Sequence, residues 1–199
     1  DADGGGTSDA VEIALGLDPL NPSDDDSGGG GGTKIGINFI SDRGTDAELG
    51  PDEIAGFPEV AQLNWNNSAG GGNAQAGANG SQGDIISPVS GVIVDDTGGD
   101  SGVTVDWTSN GTWNTNNGFE SPDAKMMNGY IDNIGGGGFA TVDFQGIPYS
   151  SYDVYVYFGS DGNGRTGSVE STTAGQIFSY TTDSQKGGFD PELDYILTE

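Results

Sequence analysis

The segment "YDVYVYF", residues 152–158, carries the clearest strand pattern of the chain. Val154, Val156 and Phe158 alternate with Tyr155 and Tyr157, so both faces are apolar or amphipathic, as in a central strand. Similar short alternating segments recur along the chain, bounded by Gly, Asn and Asp. The pattern predicts strands at 34–40, 61–67, 91–96, 102–108, 139–145, 152–158, 167–172, 176–182 and 194–198.

Many short strands without helical patterns between them predict an all-β fold, a β-sandwich of jelly-roll type. In "GVTVDWT", residues 102–108, the alternation puts Val103, Val105 and Trp107 on one face, which we expect to be buried. The exception is "ESPDAKMMNGYID", residues 120–132. There Pro122 is expected to start a short helix and Gly129 to end it. Met126, Met127 and Tyr130 would then form a helical cap on the sandwich.

The composition divides the chain into three parts. Residues 1–26 contain eight Asp or Glu and no Lys or Arg, residues 27–33 read "SGGGGGT", and the strand pattern occupies 34–199. The glycine-rich stretch is typical of a flexible linker. We therefore expect an acidic module, a linker and a β domain. One or two further strands are expected beyond "DYILT", residues 194–198.

The charge excludes several classes of function. The 199 residues include 31 Asp or Glu and only 5 Lys or Arg, which gives a formal net charge of −26. So negative a chain repels nucleic acid and anionic membrane surfaces, and no apolar run approaches the ~18 residues of a membrane helix. Neither Cys nor His occurs, which removes thiolate and imidazole chemistry. No pair of carboxylates is singled out as a catalytic acid and base, so we predict that the protein is not an enzyme.

The opening stretch "DADGGGTSDAVE", residues 1–12, has the spacing of a calcium loop of the EF-hand type. Such a loop takes ligands at positions 1, 3, 5, 7, 9 and 12, with glycine at position 6 for the turn. Gly6 fits, and Gly5 departs from the pattern because it brings no carboxylate. The alternative is an acidic tether without metal. The predicted Ca²⁺ ligands are Asp1, Asp3, Asp9 and Glu12, with the Thr7 carbonyl.

Two resemblances extend this interpretation. With "DAVEIALGLDPLNPSDDD", residues 9–26, the acidic module resembles a bacterial thrombospondin type 3 repeat and is similar to half of a dockerin. The phrases "IGINF", "LNWNN", "VTVDWTSNGTWNT", "MNGYID" and "VDFQGIPYSSYDVYVYFGSDGNGRTGSV" occur in this order between 34 and 199. Together they resemble uncharacterised β-sandwich domains of secreted and surface proteins from polysaccharide-degrading bacteria. The resemblances imply a calcium-stiffened spacer and an extracellular or cell-surface location.

One aromatic residue stands apart from the strand pattern. Trp113 lies in "TSNGTWNTNNG", among polar turn residues, and an exposed indole can serve as a platform for the apolar face of a sugar ring. The alternative is a loop anchor. Arg165 lies in "GSDGNGRTG", residues 159–167, for which we favour a hairpin turn over a phosphate loop. The predicted ligand-binding residues are Trp113, Asn114, Tyr130 and Arg165.

Two functions follow from this sequence. The first is a non-catalytic glycan-binding module on a calcium-stiffened spacer, with polysaccharide as its partner. The alternative is a structural or adhesive subunit that self-associates into filaments or a surface layer through its edge strands and calcium, since an unpaired edge is a template for another strand.

Overall fold

The computed structural model describes residues 20–21, 34–41, 47–58, 60–69, 78–114, 120–132, 139–159, 163–183 and 195–198. The predicted calcium loop, with Asp1, Asp3, Thr7, Asp9 and Glu12, lies outside these residues, as does the linker at 27–33. The helices of the described residues are too short and too polar to cross a bilayer.

The regular secondary structure of the described residues is mostly strand with almost no helix, which confirms the predicted all-β class. One α-helix, α1 (Pro122–Met126), and one 3₁₀ helix (Gln82–Asp84) accompany them. The strands are β1 (Ile37–Phe39), β2 (Asn66–Ser68), β3 (Asn79–Ser81), β4 (Ile85–Ser87), β5 (Thr104–Thr108), β6 (Gly111–Asn114), β7 (Gly129–Asp132), β8 (Thr141–Gln145), β9 (Val154–Tyr157), β10 (Asn163–Ser171), β11 (Gln176–Asp183) and β12 (Tyr195–Thr198).

Within the described ranges these strands form five sheets. Two have three strands, in the orders β1-β2-β4 and β3-β5-β8, and three are pairs, β6-β7, β9-β12 and β10-β11. The pairing of β1 with β2 is parallel, and the other pairs are antiparallel. The predicted sandwich of two sheets stays a prediction.

One apolar cluster joins the two three-stranded sheets. Ile85 of β4 and Val105 of β5 are buried in it, and Ile37 of β1 and Phe144 of β8 pack against it. Trp107 of β5 is 2% exposed and meets the Phe39 ring edge-on, with centroids 5.9 Å apart. The predicted burial of one face of β5 is therefore confirmed, because its residues alternate between exposed and buried.

The predicted strand at 91–96 is wrong. Val94 is buried, but only an isolated bridge to Asp100 joins this segment to a ladder. The amide of Asn66 takes the place of a neighbouring strand, since its Nδ2 donates to the Val94 carbonyl and its Oδ1 accepts from the Val94 N–H, each at 2.8 Å. A buried side chain thus satisfies backbone groups that a ladder would otherwise pair.

Helix α1 begins where the sequence predicts it. Ser121 caps it by accepting from the Ala124 N–H at 3.1 Å, and Pro122 occupies the first turn. The helix ends at Met126, however, and Gly129 begins strand β7. Tyr130 therefore lies on a strand, and the prediction that it belongs to a helical cap is wrong.

The chain's last described strand pairs within the molecule. In β12, Tyr195 is opposite Tyr157 of β9 and Thr198 is opposite Val154, so "DYILT" is a strand, as predicted. Because β9 pairs with β12 and β10 pairs with β11, the stretch 159–167 does not close a β9–β10 hairpin, and that prediction is wrong.

Candidate functional site

The candidate site lies on the β6-β7 pair. Trp113 of β6 is directly opposite Tyr130 of β7, and Gly111 is opposite Asp132. Residues that face each other in an antiparallel pair share a face, as do residues two apart on one strand. Trp113, Tyr130 and Asp132 therefore lie on one face of this pair, and all three are partly exposed. We call these three residues the aromatic strip.

The local sequence explains why the strip forms. In "GYID", Tyr130 and Asp132 lie on one face of β7, and Gly129 and Ile131 lie on the other. In "GTWN", Gly111 and Trp113 share one face of β6 in the same way. Gly111, directly opposite Asp132, is buried and brings no side chain to this face. The strip therefore presents two rings and one carboxylate side by side.

The other two predicted ligand-binding residues are placed elsewhere. Asn114 has a relative exposure of 0% and lies on the opposite face of β6 from Trp113. Its side chain is thus enclosed by protein and does not reach the surface of the strip. Asn114 as a ligand contact stays a prediction, and its burial does not support it.

Arg165 lies on the separate β10-β11 pair and is exposed. Asn163 is opposite Asp183 and Thr166 is opposite Thr181, so two residues of β10 face one of β11, a β-bulge. Gly164 takes the positive φ of +71° that the bulge requires. The bulge sets the direction of Arg165, and the structure does not place this residue in the aromatic strip.

Tyr180 of the β10-β11 pair is coupled electrostatically to the strip. Burial raises the pKa of the Tyr180 phenol, and the negative charge of Asp132 raises it further. The Tyr180 ring stacks on Phe158 with centroids 4.3 Å apart and lies across Gly167, where a Cβ would clash with it. A shallow groove lies on the β10-β11 pair. It is lined by Thr166, Gly167, Ser168, Ser179, Tyr180 and Thr181.

Sequence reasoning missed Asp132 and Tyr180. The alternation in "GYID" and in "QIFSYTT" was visible, but that the two segments lie close together is a property of the tertiary fold. An assignment of 129–132 to a strand would have put Asp132 beside Tyr130.

The arrangement suits binding of a polar ligand with an apolar face. The described residues contain no group of three or more acidic side chains that could hold a metal ion. Asp132 offers a hydrogen-bond acceptor beside two rings.

Comparisons with protein-family models, with curated proteins and with solved structures found no significant match.

Proposed function

We propose that this chain is a non-catalytic glycan-binding module that works outside the cell or at its surface. The observation that supports the proposal best is the register of β6 and β7, which brings Trp113 beside Tyr130 on a partly exposed face. Two aromatic rings on one face, with a carboxylate next to them, are the elements of a sugar platform.

The chemistry of the strip favours a neutral polysaccharide. The apolar face of a pyranose stacks on the Trp113 indole, and Asp132 accepts hydrogen bonds from sugar hydroxyls. A uronic acid or sulfated sugar would meet the Asp132 carboxylate and a chain of net charge −26, which repels it. The ligand is therefore a glycan without charged groups.

The proposed spacer precedes this module. Calcium held by Asp1, Asp3, Asp9, Glu12 and the Thr7 carbonyl would neutralise clustered carboxylates and stiffen the segment that links the module to its parent surface. Sites of this kind in extracellular modules bind calcium with dissociation constants of about 10⁻⁴–10⁻³ M.

Affinity electrophoresis in gels containing neutral polysaccharides tests the proposal. We expect Trp113→Ala and Tyr130→Ala each to weaken retention tenfold or more, equivalent to about 1.4 kcal/mol. Tyr152→Ala is the matched control, because this tyrosine is 41% exposed and lies outside the strip. Its retention should equal that of the wild type.

Two results contradict the proposal. One is wild-type protein that is not retained by any neutral polysaccharide tested. The other is a Trp113→Ala variant that loses thermal stability while its retention is unchanged, which would assign the indole to packing.

A further inference from the structure

The β10-β11 hairpin carries far less charge than the chain as a whole. Between residues 163 and 183 the charged side chains are Arg165, Glu170 and Asp183, which sum to −1, in a chain of net charge −26. "QIFSYTT", residues 176–182, has seven consecutive residues without charge or proline. Such segments of high β-propensity are prone to pair with other strands.

The hairpin is also the most open part of the described structure. Its strands are the longest there, with nine residues in β10 and eight in β11. One face is exposed along its length. That face consists of three direct cross-strand pairs, which are Thr166 with Thr181, Ser168 with Ser179, and Glu170 with Ile177. Ile177, a large apolar side chain, is 66% exposed.

The outer edge of β10 has no neighbouring strand among the residues that the structure describes. In the described part of the chain no third strand joins the β10-β11 sheet, and β12 lies beside β11 rather than β10. Proteins usually blunt such edges with charged side chains, especially lysine, with proline or with bulges. Residues 163–183 contain neither lysine nor proline, and the charged residues on β10 are Arg165 and Glu170. The bulge at Gly164 disturbs only the first part of β10. From Thr166 to Ser171 the ladder is regular.

We propose that the outer edge of β10 pairs, antiparallel, with β10 of a second copy of this chain. A cationic partner would be drawn to the acidic surfaces. A second copy is repelled by them and approaches best where the charges balance, as Arg165 and Glu170 do on β10. Two identical edges related by a two-fold axis are self-complementary. Their union makes a four-stranded sheet, which is more stable than an isolated pair of strands.

Salt dependence is the first test. Repulsion between two chains of charge −26 opposes the dimer, and salt shortens the screening length from about 10 Å at 0.1 M to about 3 Å at 1 M. Sedimentation velocity of the full chain is expected to show a dimer whose fraction rises with protein concentration and with NaCl. A monomer at every salt and protein concentration overturns the proposal.

Cysteine cross-linking locates the interface, since the chain has no cysteine of its own. Thr166→Cys, Ser168→Cys and Glu170→Cys place a thiol on β10. Each has a matched control in the residue directly opposite it on β11, Thr181→Cys, Ser179→Cys and Ile177→Cys. Facing β10 strands are about 4.8 Å apart, whereas the two β11 strands are three spacings, about 14 Å, apart. A disulfide requires Cα atoms within about 7 Å.

Under mild oxidation we expect at least one β10 variant to form a disulfide-linked dimer several-fold faster than its β11 control. Equal rates at the paired positions mean random collision and contradict the proposal. The inference does not rest on glycan binding. Trp113→Ala should dimerise like the wild type, so loss of retention and loss of the dimer are distinguishable.

Discussion

At the scale of single residues, Trp107 shows how closely the interior is fitted. Its side chain is 2% exposed, and its indole N–H has no hydrogen-bond partner among the described residues. Contact with Phe39 on one side and Gly80 on the other therefore holds the ring in place. Gly80 is directly opposite Trp107 in the β3-β5 ladder, and the ring fills the space that a side chain there would take.

Gly80→Ala should therefore be strongly destabilising. An added Cβ would clash with the Trp107 ring, and overpacking of a fitted interior costs about 1–3 kcal/mol. Urea unfolding followed by tryptophan fluorescence measures the change. Gly83→Ala is the control, because the nearest atom to a Cβ there is the Ser81 Oγ at 3.6 Å, and its free energy of unfolding should change little. Equal stability of the two variants would show that Trp107 does not depend on Gly80.

At the scale of elements, α1 is fixed to the loop before β2 by two polar contacts. Lys125 Nζ lies 2.6 Å from Glu53 Oε1, and the Gly56 N–H donates to Asp123 Oδ1 at 2.9 Å. Burial alone would raise the pKa of Glu53, but hydrogen bonds from Lys125 and the Gly50 N–H, with the Lys125 charge, hold it below its usual value. For Asp123 burial outweighs the Gly56 hydrogen bond, and its pKa is raised.

Asp123 should therefore make stability depend on pH with a definite sign. In the folded state the Asp123 carboxyl keeps its proton to a higher pH than in the unfolded state. Its contribution to the free energy of unfolding is fully present below the unfolded pKa of about 3.9 and is lost as pH rises through the folded pKa. Asp123→Asn keeps an Oδ1 acceptor without the buried charge. At neutral pH the variant should be at least as stable as the wild type, and the difference should shrink towards pH 3.

Urea unfolding at several pH values measures this dependence. Asp153→Asn is the control, because Asp153 is exposed and the substitution removes the same charge. An Asp123→Asn variant that is less stable than the wild type at neutral pH, and equally so at pH 3, would contradict the prediction.

Elements also show what sequence can predict. The two-residue period of "VTVDW" predicted the buried face of β5, because alternation and burial have the same local cause. Trp113 was assigned to a polar loop, since its neighbours on both sides are polar. It lies on β6 because "GYID", 17 residues later, supplies a partner strand. A local sequence pattern does not show which distant segments pair as strands. For that reason the sequence predicts Tyr130, the second ring of the aromatic strip, in a helical cap rather than on a strand.

At the scale of the whole molecule, the net charge of −26 links the proposals. It favours a neutral glycan over an anionic one, directs contact between two copies to the weakly charged β10-β11 hairpin, and attracts divalent cations. The composition gave this charge directly. The burial of Asn66 and Asn114 could not be predicted, because asparagine is usually exposed. Only the packed structure shows that a side-chain amide, such as that of Asn66, pairs with backbone groups in place of a neighbouring strand.

A general attraction for cations must be separated from the calcium loop proposed at residues 1–12. In such loops the residue at position 12 binds through both carboxylate oxygens, so Glu12→Gln should weaken calcium binding tenfold or more, equivalent to about 1.4 kcal/mol. Glu120→Gln is the matched control, because Glu120 is exposed and its change alters the net charge by the same amount. Isothermal titration with millimolar calcium is expected to show a saturable site in the wild type and the control. Equal uptake by both variants would mean that calcium binds the acidic surface as a whole, and no saturable uptake by the wild type would leave residues 1–26 as an acidic tether.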